Sequence, residues 1–231
     1  MGKANKIFWI LGLILMGTAP GGASAEEKGQ RVQKLTGFPE TLSKDCRDGR
    51  AKLYDECSDQ LAIYAAAAKR AAAENKILLV SYGAEWCIWC HVFKAYVHGG
   101  KTKFTYTYAT PDAIDEKSTA TLYERERSDV SAKAEALRRF VAENFVIVHI
   151  EAQYAPNGEA VLKRTGADKH YTRGLPYIFT VSSDARFAAK FNPSLVETRR
   201  DTDDWYRGYD RGKLLALLSD MRKAALGQTS R

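Results

Sequence analysis

Residues 76–97, Lys-Ile-Leu-Leu-Val-Ser-Tyr-Gly-Ala-Glu-Trp-Cys-Ile-Trp-Cys-His-Val-Phe-Lys-Ala-Tyr-Val, leave few architectures open to this chain. The run from Ile77 to Tyr82 is short, aliphatic and aromatic, which reads as a buried strand. Gly83 and Ala84 allow a turn. Val92, Phe93, Tyr96 and Val97 then recur at helical spacing. Cys87 and Cys90 therefore fall at a strand-to-helix junction. The unpaired N–H groups and the positive end of the helix dipole favour a thiolate on Cys87. Cys90 lies about one helical turn further on, close enough to attack a mixed disulfide formed on Cys87. The chemistry written into this spacing is redox chemistry of a dithiol.

The segment Ala84-Glu85-Trp86-Cys87-Ile88-Trp89-Cys90, directly after a strand, resembles the active-site segment of the thioredoxin superfamily. Ile88-Trp89 departs from the Gly-Pro dipeptide that is commonest there. The resemblance implies an α/β, thioredoxin-like fold with a central mixed sheet flanked by helices. It also implies a thiol–disulfide oxidoreductase, with Cys87 as nucleophile and Cys90 as resolving thiol. A second landmark is Gly174-Leu175-Pro176-Tyr177-Ile178-Phe179-Thr180-Val181, a proline at the mouth of an apolar strand. By resemblance Pro176 follows a cis bond, the one common setting for cis geometry being X-Pro, and packs near the cysteines. Leu175 would offer backbone groups to an extended substrate, and Trp86 and Trp89 would shape an apolar rim. Ser81 stands where many members hold a buried acid. A proton route must then run through water, Glu85 or another group.

His91 opens alternatives. Four residues after Cys87, it shares a helix face with it, and a cation there would favour the thiolate. A solvent-facing ring with no role is the plainer account. Cys87 to His91 is also formally C-x-x-C-H, the attachment pattern of c-type haem. The preceding strand, Pro176, and the presence of only Met221 beyond the N-terminal segment favour the dithiol. Cys87, Cys90 and His91 have the softness for a metal, but a closed zinc site wants a fourth ligand. The expectation is a dithiol enzyme with no metal and no other cofactor.

Residues 1–25 read as a secretory signal. Lys3 and Lys6 precede an apolar stretch from Ile7 to Gly17, and Ala23-Ser24-Ala25 forms a cleavage site. The stretch is short for a membrane span. An exported protein of a bacterial periplasm, soluble after cleavage, is expected, with an uncleaved anchor as the alternative. Beyond that segment 33 basic side chains stand against 28 acidic ones, a net of +5. They are interspersed, as in Glu124-Arg125-Glu126-Arg127, so they describe a solvated surface rather than a nucleic-acid face. The expected partners are client proteins with thiols or disulfides, and a redox-recycling partner such as a membrane electron carrier.

Residues 26–58 form a polar arm broken by Gly37, Pro39 and Gly49. Cys46 and Cys57 lie in it. One account is a structural disulfide contributing roughly 2–3 kcal/mol; the other is a second redox pair relaying to Cys87 and Cys90. Residues 59–231 form the thioredoxin-like domain, with the resemblance covering roughly 60–226 and an insertion at 101–130. Lys103 to Tyr108 alternates polar and aromatic residues, a strand or ordered loop. Ile114 to Arg127 is charged, a short helix or a mobile segment. The insertion is either surface decoration or a partner-selecting lid. Helices are expected over Gln60 to Asn75, Ser131 to Asn144, 158–165 and Gly212 to Leu226. A strand is expected over Phe145 to Ile150, and a hairpin return over Ala185 to Phe191.

Overall fold

Five strands are ordered around the segment that carries the cysteines. The computed structural model describes residues 33–43, 46–49, 51–101, 104–108, 116–120, 130–200 and 206–228. The expected signal segment lies outside them. In chain order the elements are β1 (Thr36–Phe38), α1 (Gln60–Ala73), β2 (Ile77–Gly83), α2 (Ile88–Val97), β3 (Phe104–Tyr108), β4 (Glu116–Ala120) and α3 (Val130–Asn144). There follow β5 (Phe145–Glu151), α4 (Gly158–Thr165), β6 (Tyr177–Val181), β7 (Phe187–Lys190), β8 (Glu197–Arg200), β9 (Tyr206–Tyr209) and α5 (Arg211–Ala225). The main sheet has the order β1-β5-β2-β6-β7. β1 and β2 both pair with β5 in parallel, while β6 and β7 run antiparallel. This is an α/β fold of thioredoxin-like topology.

The central strands are apolar without alternation because both faces are covered. Leu79, Phe145, Ile147 and Ile178 point to the side of α2, α3 and α5. Leu78, Val80, Val146, Val148 and Phe179 point to the side of α1 and α4. Local chemistry sets the ends of the helices. Asp59 caps α1 by accepting from the Leu61 and Ala62 N–H groups, and Asp210 caps α5 by accepting from Lys213. Gly166 ends α4 at φ 76°, where a side chain would be strained.

Three parts depart from the expected reading. The arm supplies β1, which adds a strand to the sheet edge beside β5. The charged stretch after Pro111 contains no helix among its described residues: Glu116–Ala120 is a strand, paired antiparallel with β3. The insertion thus carries a β-hairpin, and residues 109–115 and 121–129 lie outside the description. A second two-stranded sheet, β8 with β9, was not anticipated. It places Tyr209 at the centre of an aromatic cluster. The Tyr209 ring lies 5.4 Å from Trp89, 5.3 Å from Tyr96 and 5.8 Å from Phe191, near edge-on for the last two. This cluster fixes the inner face of α2 and so the helix that carries the cysteines.

Candidate active site

Cys87 is the N-cap of α2. Its backbone is extended, and its sulfur accepts a hydrogen bond from the Cys90 N–H at 3.2 Å. Cys87 and Cys90 are joined as a disulfide, and so are Cys46 and Cys57. Both residues of the first pair are buried: Cys87 is 4% exposed and Cys90 is 0%. What covers them comes from the arm. Leu53 and Tyr54 form one buried cluster with the two cysteines, with Trp89 and Leu175 packed against it. The Leu175–Pro176 bond is cis, as is Phe38–Pro39. Trp86 is exposed and donates from Nε1 to Gln153 Oε1 at 2.8 Å, and Trp89 is half-buried beneath the Arg207 guanidinium.

Glu85 explains how the cover is held. Its carboxylate is fully buried and accepts three backbone N–H groups of the arm: Lys52 at 2.8 Å on Oε1, and Leu53 at 3.0 Å and Tyr54 at 2.9 Å on Oε2. A carboxylate so engaged anchors the arm. Asp55 closes the next turn, accepting from the N–H groups of Ser43, Cys57 and Ser58. Burial works against its ionised form, but these hydrogen bonds together hold its carboxyl below the ordinary range. Gln60 ties arm to sheet, donating to the Asp55 and Ser58 carbonyls and accepting from the Glu151 N–H at 2.8 Å.

His91 corrects the plainer account offered for it. It is buried rather than solvent-facing, and its Nε2–H donates to the Glu85 carbonyl oxygen at 2.7 Å. Burial pushes the imidazole below its ordinary value, and the nearby Glu85 charge offsets that only in part. The ring braces Glu85, with Nε2 also 3.7 Å from Oε1 of its carboxylate. Among the described residues no cluster of three His, Cys, Asp or Glu side chains could hold a metal.

Beneath Cys90 lies a polar group that the sequence reading did not assemble. The Tyr54 hydroxyl and Ser81 Oγ share a hydrogen bond of 3.1 Å, and the Tyr54 ring meets the His149 ring edge-on at 5.5 Å. Ser81 and His149 are register partners on β2 and β5. Gly83 is what lets these groups close on one another. A Cβ there would overlap the Tyr54 hydroxyl and lie 2.6 Å from Cys90 Sγ. Gly83→Ala is accordingly expected to push Tyr54 out of place and to cost about 1–3 kcal/mol as overpacking, read as a lower urea midpoint. An unchanged midpoint would show that the contact yields freely. His149 and Leu53 also line a cavity of about 760 Å³ that runs beside β1, with Lys52, Lys76 and Lys94 around it. No cysteine borders that cavity.

The Leu53-Tyr54 pair was the missed signal: two large apolar residues between charged neighbours, shortly before the Asp59 cap. Chemically, the arrangement can break and remake a disulfide at a helix N-terminus, with one sulfur at the end of the helix and the other sealed inside.

No family model matches the chain, and no curated protein does. Among solved structures it is similar to the crystal structure of the Neisseria meningitidis DsbD C-terminal domain in the oxidised form. That similarity has 16% sequence identity and a TM-score of 0.35, and covers 71% of this chain and 97% of that one.

Proposed function

We propose that the protein is a thiol–disulfide oxidoreductase acting on exported client proteins through Cys87 and Cys90. The observation that carries this reading is the disulfide at the N-terminus of α2, with Cys87 as the cap and Cys90 one turn inside and wholly buried. Helix-start donors stabilise negative charge on Cys87, so it is the sulfur that attacks and is attacked. Cys90 then resolves the mixed disulfide. Leu175 and Pro176 form the corner where an extended client segment lies, and Trp86 adds apolar surface. Cys46–Cys57 serves as a structural clip. A redox partner, such as a membrane electron carrier, recycles the pair. The setting is a bacterial periplasm, reached through the signal at 1–25, and the mature chain is taken to begin at Glu26.

Trapping tests the order of events. Cys90→Ala should attack client disulfides without releasing them, so reducible higher-mass bands accumulate on a non-reducing gel. Cys87→Ala should give neither bands nor exchange. Bands with Cys87→Ala instead would reverse the two roles. Absence of bands with either, together with a wild-type protein inert toward a model disulfide, would reject the function.

A further inference from the structure

Breaking the Cys87–Cys90 bond creates a charge on a fully buried residue. When a partner thiolate attacks Cys87 Sγ, a new S–S bond forms to the partner. The old bonding pair leaves on Cys90 Sγ, so the negative charge passes from the partner's sulfur to Cys90. Cys90 is 0% exposed, and an uncompensated thiolate there would carry its full desolvation penalty. His91 is turned toward Glu85, and the Glu85 carboxylate is committed to the arm.

We propose that the Tyr54 hydroxyl, backed by Ser81, is the hydrogen-bond donor that receives the negative charge on Cys90. This rests on the exchange reading given above. The geometry comes from Gly83: a single point above its Cα is 2.6 Å from Cys90 Sγ and overlaps the Tyr54 hydroxyl, so sulfur and hydroxyl stand within about 5 Å of each other. In the bonded state the hydroxyl is shared with Ser81 at 3.1 Å. Once the S–S bond opens, Cys90 is free to rotate about its Cα–Cβ bond. Ser81 can then donate to Tyr54 while Tyr54 donates to the sulfur, a two-link chain in which each bond polarises the next. Burial, reinforced by the Glu85 and Glu151 carboxylates, raises the phenol well above its ordinary value, so it stays protonated and remains a donor. Tyr54 comes from the arm, not from the sheet and helix that carry the cysteines. The arm would thus supply part of the redox chemistry as well as its cover.

The test is made on the full chain carrying Cys87→Ala, where Cys90 is the free thiol and its ionisation is followed by thiolate ultraviolet absorbance. Adding Tyr54→Phe keeps the ring and removes the donor. The apparent pKa of Cys90 should rise by about one unit, a tenfold loss of thiolate at a given pH below it. Ser81→Ala should raise it by less, and the double variant no more than Tyr54→Phe alone. An unchanged or lowered Cys90 pKa in folded Tyr54→Phe protein overturns the proposal. If Tyr54→Phe does not fold, Ser81→Ala decides, and an unmoved pKa there overturns it equally. Exchange by the wild type on a model disulfide is measured separately. Its absence would remove the enzymatic reading and this role with it, whereas a normal Cys90 pKa in an active protein's Tyr54 variant removes only the role.

Discussion

Replacing Glu85 by alanine is expected to cost the fold about 3–5 kcal/mol and to open the Cys87–Cys90 bond to small thiols. The carboxylate is fully buried, and its loss strands the N–H groups of Lys52, Leu53 and Tyr54. Each stranded buried donor costs about 1–3 kcal/mol, and Lys52, at the exposed side, the least. Because those same residues cover the cysteines, the penalty falls on the closed position of the arm. A shift of about 3 kcal/mol in local opening corresponds to a hundredfold faster reduction by a small thiol such as dithiothreitol. Glu85→Gln should fall between, since an amide still accepts on one side. Equal reduction rates in wild type and Glu85→Ala, followed by thiol labelling, would show that the arm does not gate the disulfide.

Acid should be the other strong lever, and the sign follows from His149. The ring is buried, and burial, with His98, Lys94 and His91 nearby, pushes its pKa from 6.5 down to about 3. Above pH 6.5 the ring is neutral in folded and unfolded chains alike, and no stability is lost. Below that the unfolded chain takes up a proton that the folded one refuses, so stability falls steadily until about pH 3. Between pH 7 and pH 4 the loss through this one ring is about 3 kcal/mol. Asp55, whose carboxyl is held low in the fold, adds in the same direction at the acid end. Urea midpoints at pH 7 and pH 4 measure it. His149→Leu should flatten the dependence, and an equally steep loss in that variant would assign it elsewhere.

The parts of the fold that were legible in the sequence are those whose burial repeats locally. β2, β5 and β6 are covered on both faces and show it as unbroken apolar runs. α4 ends where Gly166 says it should, and Pro176 precedes its strand. The parts that were not legible depend on distant partners. β1 is three residues long and becomes a strand only by pairing with β5. β4, Glu-Lys-Ser-Thr-Ala, carries no apolar pattern and reads as surface until β3 lies beside it. The cysteines and the helix start could be read from spacing. The cover could not, because Tyr54 meets Ser81 across 27 positions and Glu85 meets the arm across 31 to 33, with no periodicity to announce either contact.

β1 bears on the order in which the chain takes shape. It is made early, yet its partner β5 begins at Phe145, more than a hundred residues later. A chain emerging from its N-terminus must therefore hold Thr36–Phe38 unpaired until most of the domain exists. The two covalent links follow the opposite rule, spanning 11 and 3 positions. Both can close while the sheet is still incomplete, since neither requires distant segments to meet. Sulfur pairing in this chain is thus a local event and sheet closure a late one, so the correct bonds can be set before any long-range contact could misdirect them.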